Sequence, residues 1–70
     1  MPANQQKHLE EEERLVEKLV AETPGILPFA LIRSAEYMGY DPRAVRRALQ
    51  RLIDADRIRV RVGLGLVVAK

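Results

Sequence analysis

The chain has 70 residues, 47% of them hydrophobic and 31% charged, a balance that gives one small globular domain and argues against disorder for most of its length. It has no cysteine, which excludes disulfides and thiolate metal sites, and no apolar run nears the roughly 18 residues of a membrane span. The net charge of +2 hides an imbalance: residues 1–22 hold three basic and six acidic residues, net −3, and residues 23–70 hold nine basic and four acidic, net +5. No basic segment followed by an apolar core opens the chain, so no secretory signal is read, and a cytoplasmic location is expected.

Residues 1–5 are polar and include Pro2, so they are predicted to be disordered, with the folded domain spanning 6–70. The first helix is predicted from near Gln6 to near Glu22. Leu9, Leu15, Val16, Leu19 and Val20 supply its apolar stripe, which Glu10–Glu13 thin out in the first half. Its acidic face would serve either as a solvated surface or to keep an anion off the wrong side. Glu10 and Arg14 form an i,i+4 pair worth about 0.2–0.5 kcal/mol. Thr23-Pro24-Gly25 ends the helix, because a residue before proline is pushed out of the α region.

Gly25–Pro28 is an extended link, limited by its two prolines to a bridge at most. A second helix is predicted from Pro28 to about Met38, with Leu31, Ala35 and Met38 on one face, Ile32 on its flank and Gly39 as its stop. Tyr40 in the connection is read as a core plug rather than a base stacker. So short a gap before the next helix forces a sharp corner.

The third helix, 41–55, carries the strongest signals. Asp41 caps it and Pro42 sits where no N–H is needed. At about 100° per residue, Val45, Ala48, Leu49, Leu52 and Ile53 gather on one side. Arg43, Arg46, Arg47, Gln50, Arg51 and Asp54 gather on the other. After Asp56 the pattern changes to strand period: Ile58, Val60 and Val62 alternate with Arg57, Arg59 and Arg61, giving one buried and one positive face. Gly63-Leu64-Gly65 makes a tight turn, and Leu66–Ala69 returns, so 57–69 is predicted to be a hairpin.

Over Ile26–Lys70 this order resembles the winged-helix superfamily. The spacing of Val45, Leu49, Leu52, Asp56 and Ile58 carries the likeness, with Asp56 where the family usually has glycine. The resemblance implies an α+β fold, a three-helix helix-turn-helix bundle followed by a C-terminal two-stranded hairpin. A glycine-like position implies φ > 0, so Asp56 is predicted to be left-handed.

The basic surface points to double-stranded DNA, in a transcriptional regulator or an accessory DNA-binding protein. Helix 41–55 would lie in the major groove and the hairpin would act as the wing. Arginine reads guanine edges and glutamine adenine edges, which suits Arg46, Arg47 and Gln50 as the central residues, with Arg51 on the flank. Arg43 near the helix start suits a phosphate, and Arg57, Arg59 and Arg61 suit backbone or minor-groove contacts. The same arginines could form a solvated face, some of them paired with Asp54 or Asp56; seven on two consecutive elements favour nucleic acid. The tip, Gly63–Gly65, has no basic residue, which leaves Arg59 and Arg61 as the wing contacts.

An alternative is a protein-interaction winged helix that docks through its apolar wing, Leu64 and Leu66–Val68, and does not touch DNA. RNA is less favoured, since Phe29, Tyr37 and Tyr40 are the only aromatic residues. A homodimer is a further expectation, with the first helix as its surface. One histidine (His8), one serine (Ser34) and no cysteine leave no nucleophile–base pair, so no enzyme activity, small-molecule substrate, metal or cofactor is expected.

Overall fold

The computed structural model describes residues 2–61 and 63–69, with side chains from residue 11 onward. Helices α1 (Pro2–Glu22), α2 (Pro28–Tyr37) and α3 (Pro42–Asp54) precede strands β1 (Ile58–Arg61) and β2 (Gly65–Val68). Three helices and a terminal hairpin form the predicted α+β order. The start of α1 differs from expectation: the helix begins at Pro2 rather than near Gln6. Proline is tolerated in a first turn, where its missing N–H would have had no intrahelical partner. Met1 and Lys70 lie outside the described residues, as do the side chains of His8, Leu9 and Glu10 and with them the predicted Glu10–Arg14 pair.

The core forms where the apolar stripes meet. Leu15, Val16 and Val20 of α1, Leu31 and Ala35 of α2, and Val45, Ala48, Leu49 and Leu52 of α3 are buried together with Ile58 and Leu66 of the hairpin. Burying each larger aliphatic side chain contributes about 1.5–3 kcal/mol. Tyr40 and Ile53 pack against the edge of this cluster, as their positions predict. Met38 does not. It lies beyond the last turn of α2 as its C-cap and is 56% exposed, because the helix ends before the third residue of the predicted stripe can turn inward.

Two helices stop by the same device. At the end of α2, the Tyr40 N–H donates to the Ala35 carbonyl and the Gly39 N–H to the Glu36 carbonyl, with Gly39 at φ +94°. At the end of α3, the Arg57 N–H donates to Leu52 and the Asp56 N–H to Ile53, with Asp56 at φ +62°. Both are Schellman motifs, which require a left-handed residue after the cap. Asp56 therefore takes the backbone conformation expected of it, and is the one non-glycine among the described residues with positive φ.

Strands β1 and β2 are antiparallel, pairing Ile58 with Val68, Arg59 with Val67, Val60 with Leu66 and Arg61 with Gly65. Ile26 joins as a single bridge to Leu66, no more than its flanking prolines allow. This puts β2 in the middle and leaves β1 at an edge. The alternation in β1 is correct in direction but not in burial: Ile58 is covered, whereas Val60 is 57% exposed, because the edge strand runs past the helices. Val62 lies outside the described residues.

The bridge brings two glycines into close approach. A Cβ on Gly65 would lie 2.1 Å from the Gly25 carbonyl oxygen, and both residues have positive φ, +78° and +90°. Only glycine fits a contact this close. The bridge is thereby fixed, with the Gly25 N–H donating to Leu66 O at 2.8 Å and the Leu66 N–H to Ile26 O at 3.0 Å.

Candidate nucleic-acid interface

The rigidity of α3 sets the geometry of the surface. The Asp41 side chain accepts from the Arg43 N–H at 3.2 Å, Pro42 fills the first turn, and the buried stripe anchors the helix against α1 and α2. With that face fixed, Arg43, Arg46, Arg47, Gln50 and Asp54 must point to solvent, and all five are exposed. A 13-residue helix is about 20 Å long, a rod of the size that enters a B-DNA major groove.

The eight residues singled out by sequence fall into two groups. Arg43, Arg46 and Arg47 on α3 and Arg61 on β1 have no carboxylate within ion-pair distance among the described residues. The other arginines are paired. Arg51 is half-buried at the flank of α3 and donates from Nε to Glu13 Oε2 at 2.8 Å, while its Nη2 is buried with no partner among the described residues. Arg57 Nη2 lies 3.0 and 2.9 Å from the two oxygens of Glu17. Arg59 forks onto Asp56, with Nε and Nη2 each 3.1 Å from a carboxylate oxygen. Gln50 donates from Nε2 to Asp54 Oδ1 at 3.0 Å, one turn further on.

The acidic face of α1 is thus not merely solvated. Glu13 and Glu17 stand one turn apart and reach the arginines that begin and end the α3–β1 corner. They lie 38 and 40 residues from their partners in the chain. Counting acids near the arginines in sequence could not find them. The one available signal was a run of glutamates on the helix that packs against α3.

Asp56 has a second role beyond its backbone. The hydrogen bond and the positive charge from Arg59 hold its carboxyl below the ordinary aspartate range, and Asp56 in turn raises the Arg59 guanidinium. This chelate keeps Arg59 folded back toward the α3–β1 turn. At the hairpin tip Leu64 is 60% exposed, and Arg61 is the cation nearest the tip in sequence.

One basic residue escaped the sequence reading. Arg33 is exposed on α2 and, with Arg46, borders a depression of about 260 Å3 floored by Phe29 and Ile32. Among the described residues no helix is long and apolar enough to cross a membrane. Set against known protein families, characterised proteins and solved structures, the chain matches none of them.

Proposed function

We propose that this chain is a winged-helix DNA-binding module, acting in transcriptional regulation or as an accessory DNA-binding protein, with α3 in the major groove and the β1–β2 hairpin as the wing. The observation that carries this reading is the set of four arginines with no acid partner among the described residues, Arg43, Arg46, Arg47 and Arg61, held outward while the apolar side of α3 is buried. Unpaired guanidinium groups on a rigid scaffold lose little entropy or internal pairing on meeting phosphate. Arg46 and Arg47, central on the outward face, are the base-edge readers, and Arg43 beside the helix N-terminus is a phosphate ligand. Gln50 would have to release Asp54 to read an adenine edge.

The test is binding to random-sequence duplex DNA at low salt, with and without the double substitution Arg46→Ala and Arg47→Ala. The double variant should lose most of the affinity and melt like the parent, since both side chains are exposed. Equal binding by the two proteins would remove α3 from the groove. A second reading, docking to another protein through the apolar hairpin, has one observation in its favour: of the expected patch Leu64 and Val68 are exposed, with Val60 exposed on the same hairpin, whereas Leu66 is buried in the core. It predicts no duplex binding even at low salt.

A further inference from the structure

The one phenylalanine of this chain, Phe29, is 65% exposed. Its place on α2 explains why. The helix buries Leu31 and Ala35, and at about 100° per residue Phe29 stands roughly 200° from Leu31. Its i,i+3 neighbour Ile32 is half-buried against the core. This side of α2 borders α3. Phe29 and Ile32 line two adjoining depressions there, of about 260 and about 380 Å3, and Arg46 lines both. The larger one also takes in Leu49, Gln50 and Ile53. An uncovered ring thus shares a recess with Arg46 and Gln50, two of the three side chains assigned to base edges.

What surrounds the recess selects its occupant. Arg33 and Arg46 stand on its rim, and the exposed Arg43 and Arg47 continue the positive face along α3. Glu36 is the one acidic residue lining either depression among the described residues. The fitting occupant is anionic overall and presents an apolar group to Phe29 and Ile32. Duplex DNA has such a group in its major groove, the C5-methyl of thymine, set among polar base edges. With α3 placed in that groove, on which this step rests, we infer that Phe29 is a specificity-determining residue. Its ring packs against the methyl of a thymine beside the bases met by Arg46 and Gln50. The ring has no charge and no hydrogen-bonding group, so this methyl is the means by which it distinguishes thymine from the other bases. A peptide with acidic and apolar side chains would fit the same rim, but its partner protein would then show no dependence on a thymine methyl.

Removing one methyl at a time tests the contact. Duplexes selected by the parent protein from a random pool are remade with each thymine in turn replaced by deoxyuridine, which deletes the methyl and keeps the charge and the pairing edge. Burying one such carbon is worth about 0.8 kcal/mol, or about fourfold in affinity. The parent should lose about fourfold at one thymine of each bound site. Phe29→Ala should bind the intact duplex about fourfold less tightly and should not respond to the loss of that methyl. Phe29→Tyr, which keeps the ring, should respond as the parent does. Phe29 is exposed and alanine is the best helix former, so Phe29→Ala should melt no lower than the parent. Equal responses of the parent and Phe29→Ala at every thymine overturn the inference, as does a selected site without thymine. An even loss of affinity over all sequences would make the ring a backbone contact and overturn it too. These results leave α3 in the groove provided that Arg46→Ala with Arg47→Ala loses binding. A parent that binds no duplex at low salt overturns both readings.

Discussion

Glu13 and Glu17 divide the basic surface into paired and free arginines, and that division has a measurable slope. Binding that neutralises phosphates falls with salt by about −0.9 in log K per log unit for each phosphate. With Arg46 and Arg47 on base edges, Arg43 and Arg61 are the arginines left for phosphate that have no acid partner among the described residues, and they give an expected slope of about −1.8, whereas adding Arg51, Arg57 and Arg59 would give about −4.5. Replacing both glutamates, Glu13→Gln and Glu17→Gln, removes the charges opposite Arg51 and Arg57 and frees two more cations. The slope should then steepen to about −3.6, with tighter binding at low salt. Fluorescence anisotropy of a labelled random duplex, titrated between roughly 50 and 200 mM salt, reads both quantities. Glu11→Gln with Glu12→Gln is the control: it makes the same change in net charge on the same helix, but neither residue is ion-paired with an arginine. A parent slope near about −4.5, or an identical response to both double substitutions, would refute the partition.

Two other perturbations follow from the structure. Gly65→Ala should cost about 3 kcal/mol: about 1–2 for the left-handed backbone and about 0.5–1.5 for each bridge hydrogen bond lost as the Gly25 carbonyl is pushed away. Gly63→Ala, with φ +77° but nothing within 4 Å of the new Cβ, should cost only the backbone part. Thermal melts should separate the two by roughly 4–8 °C per kcal/mol, and equal shifts would contradict the close approach. Asp56 binds its proton more readily in the unfolded chain than in the folded one, so its contribution to stability is complete above the ordinary aspartate pKa and is lost as pH falls below it. Asp56→Asn keeps a side chain that tolerates positive φ but loses the charge. Its deficit in melting temperature should be present at pH 5 and should vanish toward pH 2; a deficit independent of pH would mean that Arg59 does not hold the carboxylate.

What could be read from the sequence was what is decided within one or two turns of chain. The Asp41-Pro42 start, the buried stripe of α3, the left-handed Asp56 and the limit of one bridge at Ile26 all rest on local sterics and periodicity. The failures share an opposite cause. Val60 and Met38 have the right residue type for a core, but whether a core lies beneath them depends on where other elements end. Gly65 reads as a turn residue, and its stricter requirement comes from Gly25, 40 positions earlier. The glutamates that hold Arg51 and Arg57 are equally distant.

The same reasoning bears on how a basic patch should be weighed. Composition gives the number of cations, while tertiary pairing decides how many remain for a partner. Here α1 supplies carboxylates at one side of α3 and the α3–β1 turn supplies Asp56, so the arginines unpaired among the described residues narrow to a track from Arg43 through Arg46 and Arg47, with Arg61 on the hairpin. The paired arginines still matter, because Glu13–Arg51 and Glu17–Arg57 tie the long first helix to the corner between α3 and β1. Exposed pairs of this kind add at most about 1 kcal/mol to stability. Their larger effect is to occupy Arg51 and Arg57; the setting of the hairpin against α3 comes from the core, where Ile58 and Leu66 are buried in one cluster with Val45, Leu49 and Leu52.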